Sequence, residues 1–436
     1  MAAARFRTGQ AGRLNLRWRA SLIRFSRPDG GECGQATLLS LLRQELRAMT
    51  PTTVSSPVTT LRVSLACCCL LVLAAGSLGL AASASAAAPP EPQPLQALAD
   101  GQASAAALPG LPIWSGQATD PRSGVSYPFT MIGGDPAQGG TTTVPTLLVP
   151  LAFRFHVSGD GQAPASLGPE LAVTLDASGA AQETVASPLF TSASFPLSGD
   201  EGQYADVIQR AQFDQVGSGW HTVLGTPTVM DTVTINVPPA QGFATLNTRG
   251  VIVGRVDHDW LAARLHALLG GLAGGKGALD YLPIFESQDV LEYLNGDPTA
   301  CCVIGWHGAS NGSAKSGQPA FTYVYSAYLS AGSFKNRGLA DIHILSHELI
   351  EWLDDPFASN QTAAWSAPGY ACSTLLEVGD PLVGTWFPVA GSHPEDVAFV
   401  SWFAQQSPSS SFQGRYSYMG SDPVGPQWTT PNPGCA

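Results

Sequence analysis

The 436-residue chain is 44% hydrophobic and only 12% charged, with 47 Gly and 34 Pro. That composition suits a β-rich, loop-rich exported protein and excludes a chain disordered throughout, because apolar residues suffice for a core. The formal charge of -12 is uneven: residues 1–86 hold ten Arg against three acidic side chains, net +7, and the other eleven basic and thirty acidic residues leave 87–436 at -19. So acidic a body repels phosphate backbones and anionic lipid, which excludes nucleic acid as the expected partner.

Residues 1–48 are Arg-rich, acid-poor and without a long apolar run. A transit peptide is one reading of such a stretch; the one adopted is a dispensable extension, or a mis-assigned one with translation starting at Met49. From Met49 a polar stretch with a single Arg62 leads into an apolar run from Val63 to Leu80, then Ala82-Ser83-Ala84 and Ala84-Ser85-Ala86. This is the order of an export signal over 49–86, ending in a small-residue cleavage site. The run only just reaches the length of a bilayer span and is diluted by Gly and Ser, so no stable membrane insertion is expected once it is removed. Cys67, Cys68 and Cys69 lie near the start of the run, not behind it, which argues against lipoprotein attachment. Residues 87–110 read as a Pro/Ala linker. The mature chain is therefore expected to be secreted, extracellular or periplasmic.

Residues 111–255 read as a β-rich, sandwich-like domain. Val144 to Val157 is extended and apolar, while Leu171 to Leu175 and Thr228 to Val237 alternate. Tyr204 to Val216 reads as one helical insert, with Val207, Ile208 and Ala211 on one side. No catalytic constellation lies here. A second domain, 256–436, begins with an amphipathic helix from Asp257 to Leu272, whose His258 and His266 are expected to be structural. Gly270 to Gly277 lacks the Gly-Lys-Ser/Thr of a phosphate loop and reads as a connection. Leu282 to Phe285, Cys302 to Trp306 and Thr322 to Tyr328 read as strands.

The chemistry concentrates in Gly338 to Pro356, GLADIHILSHELIEWLDDP. Ile342, Leu345, Leu349 and Leu353 form an apolar stripe at helical spacing, with His343, His347, Glu351 and Asp355 as a polar stripe beside it. Pro356 ends the helix. Within it, His347-Glu348-Leu349-Ile350-Glu351 reads H-E-x-x-E, one residue type away from the H-E-x-x-H of zinc hydrolases. His347 and Glu351, one turn apart, can hold a divalent metal, and Glu348 can take a proton from water. Glu351 in place of a second His makes the site harder and more anionic: zinc is the expected ion, with calcium as the alternative. Glu377 or Asp380 is the expected third ligand, the other orienting His347. His393 and His307 stand in reserve, and Tyr416 or Tyr418 could stabilise an oxyanion.

Once the export signal is removed, Cys301, Cys302, Cys372 and Cys435 remain. Closing neighbours on each other reads as strained, which leaves 301–372 with 302–435, or 301–435 with 302–372. Either pairing suits an oxidising compartment better than a metal site, since C-C lacks C-x-x-C spacing.

A helix, several strands and then an H-E-x-x helix resembles the element order of zincin catalytic domains, in which a strand near the helix borders the cleft and offers its edge to substrate. Here Phe321 to Ser330 would be that strand. Ser346 to Pro356, LEVGDPL at 376–382 and YADVIQRAQF at 204–213 also resemble a group of uncharacterised secreted bacterial proteins. More distantly they are similar to plant EXORDIUM-like, phosphate-induced proteins, which carry H-E-x-x-E before a D-P or N-P turn. The resemblance covers residues 111–436 and implies secretion and a zincin-like core. Against gluzincin peptidases only His347, Glu348 and Glu377 match, and Glu351 departs from their second His.

The expectation is an α+β protein, a β-rich region packed on a zincin-like domain with a mixed sheet. Its expected activity is metal-dependent hydrolysis, with a peptide or cell-envelope component as substrate. The alternative is a non-catalytic cell-surface protein whose metal site is structural or vestigial. A third reading makes Glu348 and Glu377 the acid/base pair of a carbohydrate hydrolase.

Overall fold

The computed structural model describes residues 111–156, 172–273, 279–310, 321–336, 338–367 and 372–421. The extension, export signal and linker expected over 1–110 lie outside the described residues. Strands predominate over helices, and the fold is mixed α+β.

The strand Thr146–His156 (TLLVPLAFRFH) is apolar almost without interruption, the pattern of a strand covered on both faces. It lies inside a mixed sheet whose order is Val233–Asn236, Thr146–His156, Leu282–Gln288, Phe321–Tyr328, Gly305–Ser310. The first four run parallel; Gly305–Ser310 closes the order antiparallel to Phe321–Tyr328. Thr228–Val229 and Ala172–Asp176 also pair with Thr146–His156. One sheet therefore draws strands from both sides of residue 255, and the two regions expected as separate domains share it. The physical reason is the double-sided burial of 146–156: a sandwich strand would alternate apolar and polar, with one face left to solvent.

Alternation along these strands divides the core in two. Leu148, Ile284 and Val324 point to the front face, where they meet the helices Tyr204–Gln212 and His343–Asp354 through Val207, Ile208, Leu345 and Leu349. Phe153, Phe285 and Tyr325 point to the back face, where Leu261, Leu265 and Leu269 of the helix His258–Ala273 cover them at four-residue steps. Burying each such leucine contributes roughly 1.5–3 kcal/mol. The helix Ser178–Ala186 (SGAAQETVA) has no counterpart in the sequence reading; its small side chains give no apolar period.

The motif helix begins at His343, not at Gly338 as its pattern predicts. Asp341 sits at φ +48°, in the left-handed region, and its carboxylate accepts from the Ile342 N–H at 2.6 Å and the His393 N–H at 3.1 Å. The helix stops at Asp354, and Asp355 (φ -141°, ψ 66°) leads into Pro356. All twelve of its residues are buried, the polar stripe included.

The cysteine pairing differs from both expected schemes. Cys301 and Cys302 are disulfide-bonded to each other across a cis peptide, with Cα atoms 3.0 Å apart. Cys372 is also disulfide-bonded; Cys435 lies outside the described residues.

Candidate metal centre

Three elements meet behind the front face. The motif helix supplies His347, Glu348 and Glu351; the strand Gly305–Ser310 supplies His307; the segment after Leu375 supplies Glu377, Asp380 and Glu395. Two close approaches set the distances. At Gly305 a Cβ would stand 2.5 Å from Ile344 and 2.8 Å from Glu348 Oε1, and at Gly379 it would stand 2.3 Å from the His347 ring. Any larger residue at either position would push the helix off its neighbours.

His347 is held from behind. Its Nδ1 lies 2.7 Å from Glu395 Oε2, while its Nε2 makes no hydrogen bond and faces Glu351 Oε1 at 3.2 Å and Asp380 Oδ1 at 3.8 Å. A carboxylate on one imidazole nitrogen fixes the tautomer and presents the other nitrogen to a metal. Glu395 is itself anchored: its N–H donates to Ser346 Oγ at 2.8 Å, and its carbonyl accepts from the Tyr204 hydroxyl at 2.6 Å. Glu351 is aimed by the backbone N–H groups of Gly379 and Asp380, which donate to Oε1 at 3.1 and 3.3 Å. The carboxylate behind His347 is thus neither Glu377 nor Asp380, as expected, but Glu395, which no local period marks.

His307 completes the cluster. Its Nε2 lies 3.2 Å from the Asp355 carbonyl oxygen, a geometry for donation, and its Nδ1 stands 3.4 Å from both Glu348 Oε2 and Glu351 Oε2. Glu377 Oε2 lies 3.9 Å from its Nε2. Side-chain ligand atoms of His347, Glu348 and Glu351 fall within 4.8 Å of one another, and so do those of His307, Glu351 and Glu377. These buried His and Glu groups could hold a metal ion.

The other candidates stand apart. His393 is half-buried, its Nδ1 2.6 Å from Asp341 Oδ2. The Tyr416 hydroxyl donates its only proton to the Gln406 carbonyl at 2.6 Å, so an oxyanion role there loses its donor. The Tyr418 hydroxyl lies 3.1 Å from both the Ser198 N–H and Oγ. Asp354 and Asp355 serve the helix end: Gln209 and Gln212 donate to Asp354, and the Ser359 and Asn360 N–H groups donate to Asp355. The YADVIQRAQF stretch therefore braces the motif helix through Gln209 and Gln212, and the Glu395 backbone through Tyr204.

Burial and mutual proximity pull these groups in opposite directions. Burial pushes Glu348 and Glu395 up to about 7, and Asp380 well above its ordinary range. For Glu351 burial acts the same way, but His347 and His307 outweigh it and hold the carboxyl well below the carboxylate range. Burial opposes charge on both imidazoles too, yet the surrounding carboxylates raise His307 and His347 well above an ordinary histidine. Without a cation the cluster closes by sharing protons, and a metal would have to displace them.

Comparisons with protein-family models, with curated proteins and with solved structures return no match for this chain. No helix among the described residues is long and apolar enough to cross a membrane.

Proposed function

We propose that this chain is an exported, zincin-like metal-dependent hydrolase acting on peptides, zinc being the expected ion. His347, Glu351 and Asp380 would hold the ion, which would supply Lewis acidity and lower the pKa of a water. Glu348, next to His347 on the helix, is the carboxylate placed to accept a proton. Glu395 keeps His347 in the right tautomer, and the N–H groups of Gly379 and Asp380 keep Glu351 aimed. The observation that carries this reading is His347 Nε2: fully buried, without a hydrogen bond, and facing two carboxylates while its other nitrogen is tied down. The edge that would pair with an extended peptide is Gly305–Ser310, because Phe321–Tyr328 is flanked on both sides within the sheet.

Glu348 favours catalysis over a purely structural site. Its Oε1 is buried without a hydrogen-bond partner, and a structural site gains nothing from one more costly carboxylate. The test is hydrolysis of a broad peptide library by the mature chain with zinc, against Glu348→Gln. Loss of turnover with metal content unchanged is expected; an equally active variant, or no hydrolysis by either protein, refutes the catalytic role.

A second reading rests on a different observation. His307, His347, Glu348 and Glu351 are each 0% exposed, and closed sites are the habit of structural metals. Here zinc or calcium would pin the 376–396 segment to the motif helix. Under this reading metal removal loosens the fold, and Glu348→Gln has no activity to lose.

A further inference from the structure

We propose that the centre takes two divalent cations, bridged by the carboxylate of Glu351. The inference rests on the metal-binding reading above and extends it to a second ion, held by His307, Glu351 and Glu377.

The two oxygens of Glu351 look at different imidazoles. Oε1 stands 3.2 Å from His347 Nε2, and Oε2 stands 3.4 Å from His307 Nδ1. Each imidazole is anchored through its far nitrogen, His347 by Glu395 and His307 by the Asp355 carbonyl. Each therefore turns its remaining nitrogen toward Glu351. The two ligand groups within metal-binding reach, His347–Glu348–Glu351 and His307–Glu351–Glu377, overlap in Glu351.

Burial gives an independent argument. Glu348, Glu351 and Asp380 are all at 6% exposure or less. Among the described residues, the ion partners of Glu348, Glu351 and Asp380 are imidazoles, with no Lys or Arg. Glu348 Oε1, Glu351 Oε2 and Asp380 Oδ1 are all buried without a hydrogen-bond partner, which leaves acceptors for both. A bridged pair of ions is the arrangement that clamps attacking and leaving oxygens in hydrolysis.

The test uses the mature chain loaded with Mn²⁺, or separately with Zn²⁺, and desalted. Metal per chain is read by elemental analysis, and the Mn²⁺ form is read by electron paramagnetic resonance. Two equivalents and a spin-coupled Mn²⁺ pair are expected, falling to one equivalent and an uncoupled six-line signal in His307→Gln and in the near-isosteric Glu377→Gln. One equivalent with an uncoupled signal in the wild type overturns the second site and leaves the first standing. No metal at all overturns the metal centre itself and this inference with it. The spectrum of the wild type decides the matter even where a variant fails to fold.

Discussion

Two helices cover opposite faces of one sheet, and both bring histidines up against buried acids. On the back face the groups pair off. His258 Nδ1 meets Glu292 Oε2 at 2.7 Å, Trp306 Nε1 donates to Glu292 Oε1 at 3.0 Å, and His266 Nε2 faces the Tyr323 hydroxyl at 2.7 Å. On the front face Glu348, Glu351 and Asp380 crowd around two imidazoles, and each has an oxygen with no hydrogen bond. The difference teaches that a buried histidine or carboxylate does not mark a site by itself. What marks it is a surplus of acceptors over donors, since satisfied polar groups belong to ordinary cores.

The sharpest way to break this comparison is chelation. If metal saturates the front face at about 1,000 times its dissociation constant, its removal lowers stability by about 4 kcal/mol, or roughly ten degrees of melting temperature. His258→Gln on the back face should destabilise the chain by the same amount with or without chelator. A melting curve of the wild type that ignores chelation would put both faces in one class.

Glu286 offers a contrast within the front face, because a proton alone can settle it. It is fully buried, accepts from the Thr184 hydroxyl at 2.6 Å, and burial pushes it up from 4.5 to about 8. The native state keeps this proton where the unfolded chain releases it. Its contribution is therefore complete below pH 4.5, shrinks as pH rises, and is lost through about 8. Glu286→Gln mimics the protonated form and should be more stable than the wild type by a few kcal/mol above that range, with a flatter dependence below it. Urea unfolding at several pH values checks this; parallel curves for the two proteins would count against it.

Glu395→Gln keeps the shape of the support behind His347 but removes its charge. Metal affinity should fall 10–100-fold in a competition titration, while Glu292→Gln leaves it unchanged. The smallest effect belongs to Tyr416→Phe, which loses one hydrogen bond to Gln406 and about 1 kcal/mol. Its metal content should equal that of the wild type.

Much of the centre was legible in the chain. His347, Glu348 and Glu351 lie on one helix because four-residue spacing is a local property, and Glu377 and Asp380 come to them as part of a turn following close behind. His307 was harder: alternation in Gly305–Ser310 tells that it faces away from Trp306, but not that this strand lies beneath the motif helix. Tyr416 drew attention as an aromatic hydroxyl near the end of the chain, and nothing local told that Gln406 would take its proton. Glu395 carried no signal, because its role depends on a backbone anchored by Ser346 and Tyr204 from distant parts of the sequence.

By itself the sequence determined the period of the motif helix and its end at Pro356, since each follows from local sterics and spacing. Only the tertiary structure decided that Cys301 would close on Cys302, that the polar stripe would be covered, and that His307 would join Glu348 from 41 residues away and Glu395 would join His347 from 48. Those outcomes depend on which strand takes the edge of the sheet and which loop folds over the helix. They are contacts across long separations, chosen by packing, and no short window of residues encodes them.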